Sequence, residues 1–101
     1  MQLVVLGLNH KTVSVDIREQ FAISEESARS GLRHLDEQEG IEEAVVLSTC
    51  NRTEIYAVLK NGAAKKTLYQ FFLALSGNSE AKKEYFFYFE GEACIRHLFE
   101  V

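Results

Sequence analysis

Apolar residues in this chain gather into four short runs and three helix-spaced stripes. The runs are Leu3-Val4-Val5-Leu6, Ala44-Val45-Val46-Leu47, Ile55-Tyr56-Ala57-Val58-Leu59 and Tyr85-Phe86-Phe87-Tyr88-Phe89. Their length and their content of β-branched and aromatic residues predict strands over Gln2 to Leu8, Ala44 to Ser48, Thr53 to Lys60 and Glu84 to Phe89. Ala28, Leu32 and Leu35 form the first stripe. With Ser24 as N-cap, Glu25 and Glu26 in the first turn and Gly40 as a stop, it predicts a helix over Glu25 to Glu39. Leu68, Phe71, Phe72 and Leu75 predict a second helix, after Asn61-Gly62 and ending at Gly77. Glu90-Gly91-Glu92 opens a third, from Ala93 to the chain end, with Ile95, Leu98, Phe99 and Val101 in its apolar pattern. Val13 to Ala22 reads as irregular or a short helix, and Asn78 to Lys83 as a loop.

The resulting order is β-α-β-β-α-β plus a trailing C-terminal helix. That is an α+β chain of the ferredoxin-like, split βαβ kind: a four-stranded antiparallel sheet with two helices on one face. A sheet covered on one face only alternates apolar and polar residues. Three of the four strand runs do not alternate, so both faces are covered. Two helices account for one face. The other needs the trailing helix, more chain or a partner. The apolar pattern continues to the last residue, and the chain reads as a fragment of a larger protein.

Composition narrows the class. With 101 residues, 47% hydrophobic and 26% charged, the chain suits one compact globular domain. No apolar run approaches the ~20 residues that span a bilayer, and no basic segment precedes the first run, so neither a membrane span nor a signal peptide is expected. The net charge of −4 argues against a free-standing nucleic-acid binder, because phosphate neutralisation dominates such affinity. Two cysteines far apart, Cys50 and Cys94, make neither a disulfide framework nor a metal-binding spacing, and point to a reducing, cytoplasmic setting.

The chemistry concentrates between the second and third strands, in Ser48-Thr49-Cys50-Asn51-Arg52-Thr53-Glu54. A plain connector favours Gly, Asn or Asp, and this turn has no glycine. A cysteine at a strand end two residues from an arginine can serve as a thiolate nucleophile, although a lone cysteine there is more often a small buried hydrophobe. Arg52 offers a planar fork suited to a carboxylate, or an ion pair with Glu54 two residues along the same strand face.

Gly7-Leu8-Asn9-His10-Lys11-Thr12, Asp16-Ile17-Arg18-Glu19, Leu47 to Tyr56 and His97-Leu98 together resemble the N-terminal catalytic domain of the glutamyl-tRNA reductase family. The resemblance covers essentially the whole chain. One departure is Lys11-Thr12-Val13-Ser14, where the family usually carries a proline; this chain has none, which leaves that loop less restrained.

The resemblance implies an NADPH-dependent reduction of glutamyl-tRNA to glutamate-1-semialdehyde, the entry to tetrapyrrole (porphyrin) synthesis. It implies that Cys50 is the nucleophile, forming a thioester, and that Arg52 holds the glutamyl carboxylate. His97 matches the family's functional histidine and would polarise the carbonyl or protonate the leaving ribose oxygen. Thr49 and Asn51 flank the thiol as substrate contacts or turn stabilisers. Asn9, His10, Ser48 and Glu54 are candidates for support behind these groups. Cys94 is expected to be plain core and His34 solvated. No metal ligands are expected. The family enzyme is about four times longer, with an NADPH-binding domain and a dimerisation domain. This chain has no Gly-x-Gly-x-x-Gly, so no residue of it is assigned to NADPH. Homodimerisation and a contact with the next enzyme of the pathway are expectations for the full-length protein. Two other classes fit the fold: a ferredoxin-like interaction or regulatory module without chemistry, and a small thiol hydrolase.

Overall fold

The computed structural model describes residues 1–100. The elements run β1 (Gln2–Asn9), α1 (Val15–Gln20), α2 (Glu25–Arg33), β2 (Ile41–Ser48), β3 (Arg52–Leu59), α3 (Ala64–Ser76), β4 (Phe87–Glu90) and α4 (Glu92–Glu100). Short 3-10 turns cover Leu35–Glu37 and Lys83–Tyr85. The four strands form one antiparallel sheet in the order β2-β3-β1-β4. The mixed helix-and-strand class and the four-stranded antiparallel sheet are as the sequence predicts.

Two elements are shorter than expected. The first long helix stops at Arg33 and not at Glu39, giving way to the 3-10 turn. Asp36, Glu37 and Glu39 would have stood at its C-terminal end, where the helix dipole disfavours acids. The last strand is Phe87–Glu90 and not Glu84 to Phe89. Phe86 turns inward instead, its ring packing edge-on at 5.2 Å to Tyr69, 5.2 Å to Phe72 and 5.7 Å to Phe21. The second strand begins at Ile41, three residues before the expected Ala44, with a bulge between Ile41 and Glu43. The expected third helix is present as α4; Val101, placed in it by the sequence pattern, lies outside the described residues.

The unbroken apolar runs are explained by two cores on opposite faces. Val4, Leu6 and Leu8 of β1 and Ile55, Ala57 and Leu59 of β3 face α3, where Leu68, Phe71 and Phe72 complete the larger core. Phe21 and Ile23, between α1 and α2, are buried in the same cluster. On the other face Val5 and Tyr56 pack with Cys94 of α4, flanked by Leu3 and Phe87. The trailing helix therefore covers the second face, over β1 and β3. Beyond it Val45 of β2 stays 64% exposed, so the cover is partial.

Candidate active site

The second sheet face carries the polar residues at its β1–β3 end. Strand pairing sets Asn9 opposite Arg52, Gly7 opposite Glu54 and Val5 opposite Tyr56, and paired residues share a face. Gly7 also pairs with Phe87 of β4. Helix α4 lies across this face and lowers His97 onto it. The result is a cleft of about 630 Å³, with Asn9, His10, Lys11 and Arg52 on one side and Phe87 and His97 on the other.

Glu54 is the pivot of this face. Its side chain is fully buried, yet both carboxylate oxygens are satisfied: Tyr56 Oη donates to Oε1 at 2.9 Å, and His97 Nε2 lies 2.8 Å from Oε2. The chain of Glu54 crosses Gly7 so closely that a Cβ there would lie 2.9 Å from Glu54 Cγ and 2.7 Å from the Thr53 carbonyl oxygen. Glycine at position 7 is what permits that approach. The His97 ring packs against Phe87 and Phe89, which lie side by side at 5.3 Å, with centroid distances of 4.8 Å and 5.3 Å.

This arrangement excludes the alternative ion pair between Arg52 and Glu54. Glu54 shares a strand face with Arg52, as predicted, but its oxygens are taken by Tyr56 and His97. Arg52 makes no ion pair among the described residues. Its half-buried side chain lines the cleft. Arg96, also at the cleft, is engaged by Glu92 one turn back at 2.9 Å.

The turn that carries the thiol is tight and exposed. Thr49 N donates to the Arg52 carbonyl at 2.7 Å, and Asn51 N to Thr49 Oγ1 at 3.2 Å. Thr49 thus holds the turn while Cys50 and Asn51 project into solvent. Arg18 of α1 donates to the Cys50 carbonyl at 3.4 Å and to the Val13 carbonyl at 3.0 Å, tying the turn to the loop after β1. Cys50 stands two residues from Arg52 on the exposed turn and does not line the cleft itself. Ser48 does not support the site: its hydroxyl accepts from Ile23 N at 3.2 Å and meets Thr53 Oγ1 at 3.5 Å, on the opposite sheet face. Strand alternation separates it from Arg52 and Glu54. Asn9 does line the cleft, and its Oδ1 accepts from Lys11 N at 2.9 Å, folding the loop that presents His10 and Lys11. His34 is exposed on the far side.

The two thiols differ as expected. Cys94 is buried, and burial followed by the nearby Glu54 carboxylate pushes its thiol above the ordinary range. Burial and then the Glu54 hydrogen bond likewise raise the Tyr56 phenol, opposed by Arg52 nearby. Gly7 and Tyr56 lie within the motifs of the resemblance, but their part in holding Glu54 is not among the roles expected from sequence. Tyr56 sits two residues beyond Glu54, and that alternation was the available signal.

No group of three or more metal-ligating side chains occurs among the described residues. Nor do these residues fit a dinucleotide. The strand-to-helix turn that carries a left-handed glycine is Glu90-Gly91-Glu92, where two carboxylates flank the position a pyrophosphate would take. No helix of the described residues is long and apolar enough to cross a membrane.

Comparison with known proteins gives a consistent result. A glutamyl-tRNA reductase of Desulforudis audaxviator is 38% identical over 102 residues, spanning 100% of this chain and 23% of that protein. One from Exiguobacterium is 44% identical over 103 residues, spanning 100% of this chain and 24% of that protein. Among solved structures, glutamyl-tRNA reductase from Methanopyrus kandleri matches 98% of this chain and 21% of its own, with a TM-score of 0.70 and 26% identity. The chain thus spans about a quarter of the length of the relatives it matches. The family described as glutamyl-tRNA(Glu) reductase, N-terminal domain, matches residues 6–101, and the chain belongs to that family.

Proposed function

We propose that this chain is the substrate-binding and acylation part of a glutamyl-tRNA reductase, in which Cys50 takes the glutamyl group from the tRNA ester as a thioester. The observation that carries the reading is the convergence of Arg52 and His97 on one cleft beside the exposed Cys50 turn. The ester offers a carbonyl carbon, a side-chain carboxylate and a ribose leaving oxygen. Arg52, without an ion-pair partner in the described residues, is the group suited to the carboxylate. Cys50 sulfur forms the C–S bond as the ester C–O bond breaks. The thiol proton leaves to a base, and the ribose oxygen departs with a proton; His97 is the group suited to both transfers. No net oxidation occurs in this step. Reduction of the thioester to the aldehyde needs a hydride donor, NADPH in this family, and no step derived from these residues passes through it.

The strand order β2-β3-β1-β4 is read with this as the ferredoxin-like arrangement, truncated from a larger protein whose cofactor and dimerisation domains lie elsewhere. A purely regulatory module has no use for an open cationic cleft beside an exposed thiol. Mass spectrometry after incubation with glutamyl-tRNA tests the reading. A glutamyl adduct on Cys50, absent in Cys50→Ser, is the expected result, with no oxidation of NADPH. Steady release of free glutamate without an adduct would favour a thiol hydrolase instead. Labelling of Cys94 in place of Cys50 would overturn the assignment.

A further inference from the structure

We propose that Glu54, held by Tyr56, locks the His97 ring with its proton on Nε2, so that Nδ1 is the nitrogen that works on the substrate. This rests on the acyl-transfer reading above. It adds a positioning residue, Glu54, and a supporting one, Tyr56, behind His97.

Three observations carry it. First, Nε2 and Glu54 Oε2 lie 2.8 Å apart with Glu54 fully buried, so one proton is shared between them out of reach of water. An imidazole nitrogen is a stronger base than a carboxylate oxygen, and Tyr56 Oη already donates to Oε1, so this carboxylate is placed as the acceptor at both oxygens. The proton therefore sits on Nε2. Second, the ring rests against Phe87 and Phe89, side by side on β4, while Nε2 is tied to the buried carboxylate, and the two contacts together favour this orientation over the one with the nitrogens exchanged. Third, Nδ1 makes no hydrogen bond among the described residues, while His97 lines the cleft with Arg52.

The consequence is a division of labour within the ring. Nδ1 accepts the Cys50 thiol proton and later gives it to the ribose oxygen. Nε2–H stays on Glu54, whose charge stabilises the transient imidazolium. Serine proteases use the same logic, with the two ring nitrogens in exchanged roles. Gly7 belongs to the device, since only a residue without Cβ lets the Glu54 chain lie flat across β1.

Histidine labelled with ¹⁵N allows the tautomer to be read directly by long-range ¹H–¹⁵N correlation, with three histidines to assign. The spectrum is taken at a pH where the His97 ring is neutral, found by following its resonances. Wild type is expected to show a protonated Nε2 and a bare Nδ1 at His97. In Glu54→Gln the Tyr56 hydroxyl keeps the amide oxygen, so the amide nitrogen faces the ring and donates to it. The tautomer then inverts, and single-turnover acylation of Cys50 falls by about 100-fold or more. Tyr56→Phe keeps the wild-type tautomer. A bare Nε2 in wild type overturns the proposal without need of any variant. So does an inverted tautomer in Glu54→Gln with undiminished acylation. If the tautomers behave as stated but Cys50 of the wild type is never acylated, the lock is upheld and the acyl-transfer reading alone fails.

Discussion

Replacing Gly7 by alanine tests the construction of the site with one methyl group. The added Cβ would meet the Thr53 carbonyl oxygen at 2.7 Å and Glu54 Cγ at 2.9 Å. The oxygen belongs to the β1–β3 ladder and cannot step aside without breaking pairing. The Glu54 chain can move, but its buried carboxylate would leave Tyr56 and His97. Forcing a methyl into such a space costs about 1–3 kcal/mol, offset by about 0.5–1 kcal/mol that alanine gains over glycine in a strand. The net loss is on the order of 1–2 kcal/mol, or a fall in melting temperature of about 4–15 °C for a domain of this size. Gly62→Ala is the matched control, because nothing lies within 4 Å of a Cβ there. It should stay within about 0.5 kcal/mol of wild type. Thermal denaturation followed by circular dichroism measures both, and the His97 ring resonances report whether Glu54 has moved. A Gly7→Ala protein as stable as wild type, with unshifted His97 resonances, would show that Glu54 is not held by the space at position 7.

Three further outcomes are expected. Iodoacetamide should label exposed Cys50 well before Cys94, whose thiol is buried and pushed up by burial and by Glu54; peptide mapping that finds Cys94 labelled first would contradict this. Arg52→Lys should lower acylation by about 10–100-fold, equivalent to 1.5–3 kcal/mol for a charge-assisted contact, with the melting temperature almost unchanged; near-normal acylation would remove Arg52 from the site. Burial raises Tyr56, and raises Tyr88 to about 12, so the folded state holds phenol protons that the unfolded chain releases near pH 10. Their contribution to stability is complete below about pH 10 and declines as pH rises further, which denaturant titrations at increasing pH should record.

Much of this architecture is legible in local pattern. Short β-branched and aromatic runs mark the strands and period-3.6 spacing the helices, and Ser24 and Gly77 cap where expected, the first accepting from Ser27 N at 3.0 Å and the second in a left-handed turn at φ 72°. The long helix was overextended because apolar spacing persists through Leu35, while the charge penalty that ends it depends on the helix axis. The last strand was overextended because an aromatic run looks alike whether its rings join a sheet face or fill a core. Phe86 took the second course because Phe21, Tyr69 and Phe72 offered it a pocket, and those residues are remote in sequence.

The site divides in the same way. The sequence by itself determined which chemistry is present: the thiol and guanidinium within three residues of one turn, a histidine on a late helix, and the family to which these motifs belong. Only the tertiary structure decided how they are wired. Glu54 lies two residues from Arg52 and 43 residues from His97, and it is the distant residue that it meets. Antiparallel pairing put Gly7 beneath Glu54, and α4 folded back over β1 and β3 to deliver His97. A buried carboxylate must find donors where packing places them, not where the chain is nearest. That is why Tyr56 and His97, and not Arg52, complete it.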